Sequence, residues 1–147
     1  MSLEIWVNNA WLKRHETSRQ EISNLLAITD RDIEQSQTAG LGPEWRFDIA
    51  YNAALQSATA ALAAAGYQAE RANKHMRVIQ SLEFTVGLDK QTIDFLDTCR
   101  RKRHVAVYEQ VGAVSDQEAQ EMIELAKELR FAVEKWLKQH YNDLLSG

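Results

Sequence analysis

The sequence predicts an all-α domain, an up-and-down bundle of four to five helices. Three observations carry this. Apolar residues recur three and four positions apart over long stretches, as one face of a helix requires. Capping residues and glycines punctuate those stretches where helices start and stop. No run alternates apolar and polar residues over a useful strand length, and a single proline stands among the 147 residues.

A first helix is expected over about Leu3–Arg14, with Ile5, Trp6 and Trp11 as its apolar residues. Ser18-Arg19-Gln20-Glu21 is a capping-box pattern, in which the hydroxyl takes the Glu21 amide and the Glu21 carboxylate reaches back. The helix it opens carries Ile22, Leu25, Leu26, Ile28 and Ile33 and ends near Gly40. Pro43 suits a first helical position, because its missing N–H would be unpaired there anyway. That third helix runs to Ala65 and stops at Gly66. A loop over Tyr67–Ala72 leads to a helix ending at Gly87. Asp89 caps the next, which ends near Gly112. Ser115-Asp116-Gln117-Glu118 is a second capping box, opening a long last helix with Met122, Leu125, Leu129, Val133, Trp136 and Leu137 on one side.

Length fits one domain over residues 1–147, with 1–16 as an N-terminal helical extension and 18–145 as the bundle. A chain of this size buries roughly 68–70% of its unfolded surface, so no disulfide staple is needed. The lone Cys99 can form no internal disulfide and excludes a multi-cysteine metal site. The first residues lack the charged and apolar regions of a signal peptide. The longest apolar run, Ala58–Ala65, falls far short of the roughly 20 residues of a membrane span. A cytoplasmic protein without a membrane partner is the expectation. The formal charge of −4 runs against a globally basic nucleic-acid binder, leaving the run Arg100-Arg101-Lys102-Arg103-His104 as the one dense basic patch.

Some charged residues fall on apolar faces. At about 100° per residue, Ile93, Leu96, Arg100, Arg103, Val107 and Val111 share one stripe, with His104 and Tyr108 at its edge. Arg101, Lys102 and Glu109 point away, as a solvated face or as phosphate contacts. An arginine on an oily seam needs a partner, because an unpaired buried charge is very costly. The third helix offers Asp48 and Asn52 on a face shared with Tyr51, Leu55, Thr59 and Leu62. Asp48 or Asn52 is therefore predicted to bond Arg100 or Arg103, as a structural ion pair or as part of a functional site. His75 shares a face with Ile79, Leu82 and Val86 and reads as a core or groove histidine. His15 and His140 read as surface residues. Trp6, Trp11, Trp45 and Trp136 read as core or dimer anchors. No two histidines stand at i, i+4 with a carboxylate, so neither a metal nor a cofactor is expected; a phosphate loop and a nucleophile elbow are also missing.

The segment Cys99-Arg100-Arg101-Lys102-Arg103-His104-Val105-Ala106-Val107-Tyr108-Glu109 resembles the signature of HEPN domains: an arginine, a polar residue, a short spacer and a histidine on the helix before the last. Arg46–Leu55 resembles the helix that precedes the Gly-Tyr turn of small prokaryotic HEPN proteins, here Gly66-Tyr67, and His75 follows at the usual place. The resemblance covers Ser18 to Leu145. It implies an HEPN-like bundle, often a homodimer, with arginine and histidine from two protomers facing a shared cleft. In active members that cleft cuts RNA without metal, histidine acting as acid or base and arginine stabilising the phosphate charge. It also implies a toxin–antitoxin or defence-type setting, with a nucleotidyltransferase-like protein as a possible partner.

This sequence departs from the pattern in one place. Arg103 matches the motif arginine and His104 the polar position, but Tyr108 stands where the histidine belongs. A tyrosine, with a pKa of about 10, is a poor general base at neutral pH. Three readings follow: a non-catalytic RNA-associated or protein-interaction module; a metal-independent ribonuclease toxin using Arg103, His104 and Tyr108; and a small-molecule or nucleotide-binding bundle with a groove between the Asp48 and Arg103 helices.

Overall fold

A computed structural model describes residues 2–145. The chain is all-α in class, and its order is α1 (Leu3–Asn8), β1 (Leu12–Arg14), α2 (Arg19–Ser36), α3 (Pro43–Ala64), β2 (Tyr67–Ala69), α4 (Lys74–Gln80), α5 (Lys90–Tyr108) and α6 (Asp116–His140). Among the described residues six α-helices form, of which α1 and α4 are short.

The long helix α3 is the centre of the bundle. It lies against α2 on one side and α6 on the other, with α4 and α5 on a third. Ala50, Ala53, Ala54, Ala58, Ala60 and Ala61 are all buried along it. Small side chains on several faces let neighbouring helices approach closely, so the alanine run is packing and not a linker. Ile22, Leu62, Leu96, Met122, Ile123, Val133 and Leu137 fill the space between them.

The helix ends follow the expected local chemistry in most places. Ser115 and Glu118 form a complete capping box. Asp89 Oδ2 accepts the Thr92 amide at 3.2 Å. Pro43 sits in the first turn of α3. Ser18 Oγ accepts the Glu21 amide at 3.1 Å. The Glu21 carboxylate does not return to Ser18, however. It takes the Thr17 hydroxyl at 2.6 Å and lies 2.7 Å from His15 Nε2. His15 is therefore half-buried rather than a surface residue. His140 is exposed as expected.

The expected first helix is corrected. It ends at Asn8, because Ala10 adopts a left-handed conformation (φ 62°) and turns the chain. The Trp11 amide closes that turn on the Trp6 carbonyl at 3.0 Å. Leu12–Arg14 then runs antiparallel to Tyr67–Ala69, with Leu12 opposite Ala69 and Arg14 opposite Tyr67. These three-residue strands are too short for an alternating pattern, so the sequence showed none. Gly66 (φ 99°) makes the sharp reversal out of α3, and its carbonyl accepts the His15 amide at 2.9 Å. The N-terminal segment is thus woven into the body of the domain: Trp6 and Leu12 are buried, and the Arg77 guanidinium stacks 3.6 Å over Trp11.

Three further helix ends differ. α5, expected to end near Gly112, stops at Tyr108. α2 stops at Ser36, whose hydroxyl bonds the Ile33 carbonyl at 2.7 Å, four residues before Gly40. The helix expected to reach Gly87 ends at Gln80 and passes into a 3-10 turn over Ser81–Glu83, where the Ser81 hydroxyl bonds the Val78 carbonyl. Such local side-chain bonds compete with the helix ladder. Among the described residues, no helix is long and apolar enough to cross a membrane.

Candidate functional site

The basic run of α5 enters the site through helix geometry. Ile93, Leu96 and Cys99 are buried and anchor the helix, which sets Arg100 and Arg103 half-buried one and two turns later. Arg103 Nε donates to Asp48 Oδ1 at 2.6 Å, linking α5 to α3. This is the bond that the apolar-face pattern predicted. Burial opposes the charge on Arg103, but the bond and the negative charge of Asp48 outweigh it and hold its pKa above the ordinary arginine value.

The other two members of that prediction pair elsewhere. Arg100 Nε donates to Asp97 Oδ1 at 2.8 Å on its own helix. Asn52 Nδ2 donates to Asp32 Oδ2 at 2.8 Å, serving a buried carboxylate of α2. Asp97 lies one turn before Arg100 and wins by proximity. Asn52 lies one turn beyond Asp48 and meets α2 instead of α5.

The seam fades toward the end of α5. Val107, in the last turn of α5, is 43% exposed, and Val111, in the turn that follows the helix, 96%. Tyr108 is 65% exposed and stacks loosely on His104, ring centres 5.0 Å apart. Lys102, expected to face solvent, reaches α6 and pairs with Glu118 at 2.5 Å.

What gathers around Arg103 is a cleft of about 600 Å³. Arg100, Arg101, Arg103 and His104 form its α5 wall. Arg71, Lys74 and His75 form the opposite wall, at the start of α4. Tyr51 of α3 lies between them. The lining holds five permanently charged cations and no carboxylate. Asp48 and Asp97 stand behind Arg103 and Arg100, which leaves an excess of three positive charges on a chain whose formal charge is −4. Arg100 and Arg103 use their Nε atoms on these carboxylates, and their terminal Nη groups hold no hydrogen bond among the described residues.

His75 is not a core residue. It is exposed at the mouth of the cleft, 6.4 Å from the Tyr51 ring. Partial burial of its ring by the cleft walls, then the charges of Arg103, Lys74 and Arg100, hold its pKa below the ordinary histidine value. Tyr51 is 2% exposed, and its hydroxyl is buried without a hydrogen-bond partner. Burial pushes its pKa up, against the opposing pull of Arg100 and Arg103, so the hydroxyl keeps its proton.

The site thus joins Arg100, Arg103, His104, Tyr51 and His75, with Asp48 behind. Asn52 and Tyr108 fall outside its lining. The sequence reading missed Arg71 and Lys74. Their signal was the local run Arg71-Ala72-Asn73-Lys74-His75-Met76-Arg77, three cations and a histidine in seven residues.

A separate shallow groove lies at the open end of α5, lined by Trp45, Ala106, Val107 and Val111 with Glu44 and Asp48. Trp45 is 63% exposed there, so it is not a core residue. Trp6 is buried, while Trp11 and Trp136 are half-buried against the core. Among the described residues, no cluster of histidine, cysteine and carboxylate side chains is arranged to hold a metal ion. The chain matches no known family model and no curated protein.

Proposed function

We propose that this chain is a non-catalytic HEPN-like module that binds single-stranded RNA by its phosphates, in a toxin–antitoxin or defence-type system. The observation that carries the reading is the cleft walled by Arg71, Lys74, Arg100, Arg101 and Arg103 with no carboxylate in its lining. A cluster of like charges costs stability unless an anion is bound there, and phosphate neutralisation dominates nucleic-acid affinity. The resemblance of Arg103 and its surroundings to the HEPN signature points to RNA as the phosphate source. Tyr108 in the histidine position, exposed and outside the cleft, favours binding over cleavage.

The test is titration of a fluorescent single-stranded RNA at several salt concentrations. Affinity is expected to fall with salt at a logarithmic slope of about −0.7 per phosphate contacted. The variant Arg71→Ala/Lys74→Ala/Arg101→Ala removes three exposed cations and is expected to lower affinity at least about ten-fold. Unchanged binding in that variant rejects the cleft as the interface.

One observation favours a second reading. His75 and His104 line the same cleft as Arg103, which places two imidazoles near one phosphate-binding arginine. Metal-independent ribonuclease action needs proton transfer near neutral pH and positive charge at the phosphate. Incubation with RNA in EDTA separates the readings: cleavage lost in both His75→Ala and His104→Ala establishes the enzyme, and no cleavage leaves the binding module.

The exposed groove of Trp45, Val107 and Val111 supports a homodimer, or docking of a nucleotidyltransferase-like partner, at the open end of α5.

A further inference from the structure

A buried hydroxyl without a partner is a costly feature in a folded protein, and it needs a reason. Tyr51 Oη is such a group, and it belongs to a residue that lines the basic cleft. Its surroundings are specific. The Arg103 guanidinium carbon lies 5.9 Å from the Tyr51 ring centre. Arg103 is fixed from behind by Asp48, and Arg100 by Asp97, each through Nε. Both arginines therefore keep their terminal Nη donors for another acceptor while their orientation is already set. A neutral phenol O–H and two anchored guanidinium ends form a donor set with no acceptor among the described residues.

We propose that the floor of this cleft is a pocket for a terminal phosphate monoester, with Tyr51 Oη and the Nη groups of Arg100 and Arg103 as its donors. The proposal rests on the reading of the cleft as an RNA phosphate site and names the part of the RNA that enters deepest. A monoester carries up to two negative charges and three terminal oxygens, which match one O–H and two guanidinium ends. An internal phosphodiester carries one charge and continues as chain on both sides. It suits the exposed rim at Arg71, Lys74 and Arg101, whereas a chain end fits the deeper part of the cleft at Tyr51, which is 2% exposed and whose hydroxyl is reached once the side chains covering it move aside. The cleft volume of about 600 Å³ lies within the range that holds a nucleotide-sized ligand. The same chemistry is offered by a free mononucleotide.

The experiment compares four probes by fluorescence competition: one short RNA with a 5′-phosphate, a 3′-phosphate or hydroxyls at both ends, and adenosine 5′-monophosphate. The expected result is that one phosphorylated end binds about ten-fold tighter than the hydroxyl-ended RNA, as a hydrogen-bonded charge implies. Tyr51→Phe is expected to erase most of that preference, read as the ratio of the affinities for the phosphorylated and the hydroxyl-ended RNA. The same variant is expected to melt at or above the temperature of the parent chain, since the lost hydroxyl had no partner to leave stranded.

Equal binding of all three RNAs overturns the monoester pocket and leaves the RNA reading standing. Binding of the mononucleotide with none of the RNAs overturns the RNA reading and retains the pocket. An end preference that survives in Tyr51→Phe overturns the role of Tyr51. A lower melting temperature for Tyr51→Phe shows that the hydroxyl is bonded in the free protein, and it also overturns the proposal.

Discussion

At the scale of single residues, the Asp48–Arg103 bond holds the site together. Both side chains are largely withdrawn from solvent, at 19% and 28% exposure. Removing the carboxylate strands a guanidinium in a half-dry contact between α3 and α5. Asp48→Ala is expected to cost about 1–3 kcal/mol in urea unfolding. A cost near zero would show that water replaces the carboxylate at no loss. His75 makes a second residue-scale prediction. Its folded pKa is depressed, so the folded chain takes up this proton less readily than the unfolded one. The sign follows: the stability that depends on this group is complete above the ordinary histidine range and declines as pH falls through that range towards the lowered value. A bound anion opposes the charges of Arg103, Lys74 and Arg100 and raises that pKa again. RNA affinity should therefore grow as pH falls through the ordinary histidine range and on towards the lowered value of the free chain. His75→Gln should flatten this growth, with RNA titrations at each pH as the measurement.

At the scale of elements, the helix starts are set by local chemistry and the helix stops less so. The complete capping box at Ser115 ties two amides of α6, so Ser115→Ala is expected to lower stability by about 1 kcal/mol in thermal unfolding. At Ser18 the box is only half made, because His15 and Thr17 draw the Glu21 carboxylate away. That departure was invisible to a pattern of four residues. The strand pair β1–β2 was illegible for a similar reason. Each strand spans three residues, and what fixes them is a partner more than fifty positions away. The end of α1 depended on Ala10 taking a left-handed conformation that alanine seldom adopts. Helix periodicity, by contrast, persisted over enough turns in α2, α3, α5 and α6 to be read directly.

At the scale of the whole molecule, the charge is divided unevenly. The cleft gathers cations from α4 and α5, while Glu121, Glu124 and Glu128 line an open groove of α6 beside Phe95 and Leu125. A chain of formal charge −4 can therefore attract phosphate at one face and repel it from the other. The apolar end of α5 bears on assembly. Trp45, Val107 and Val111 are exposed together there, and a second copy of the chain would cover them. Light scattering at micromolar concentration is expected to give a dimer, and Val111→Asp a monomer of unchanged helicity. A monomer for the parent chain would remove the shared-cleft arrangement, while the cleft within one protomer would remain.

By itself the sequence determined the helical class, the capped starts of the long helices and the need of an arginine on an oily seam for an acidic partner. These are short-range consequences of periodicity, hydrogen bonding and the cost of burying charge, and each is written within one or two turns. Only the tertiary structure decided that Asp48 takes Arg103 while Asn52 serves Asp32, that His75 faces a cleft rather than the core, and that Arg71 and Lys74 complete the basic wall. Those outcomes depend on how α3, α4 and α5 cross, and packing between distant segments fixes that crossing.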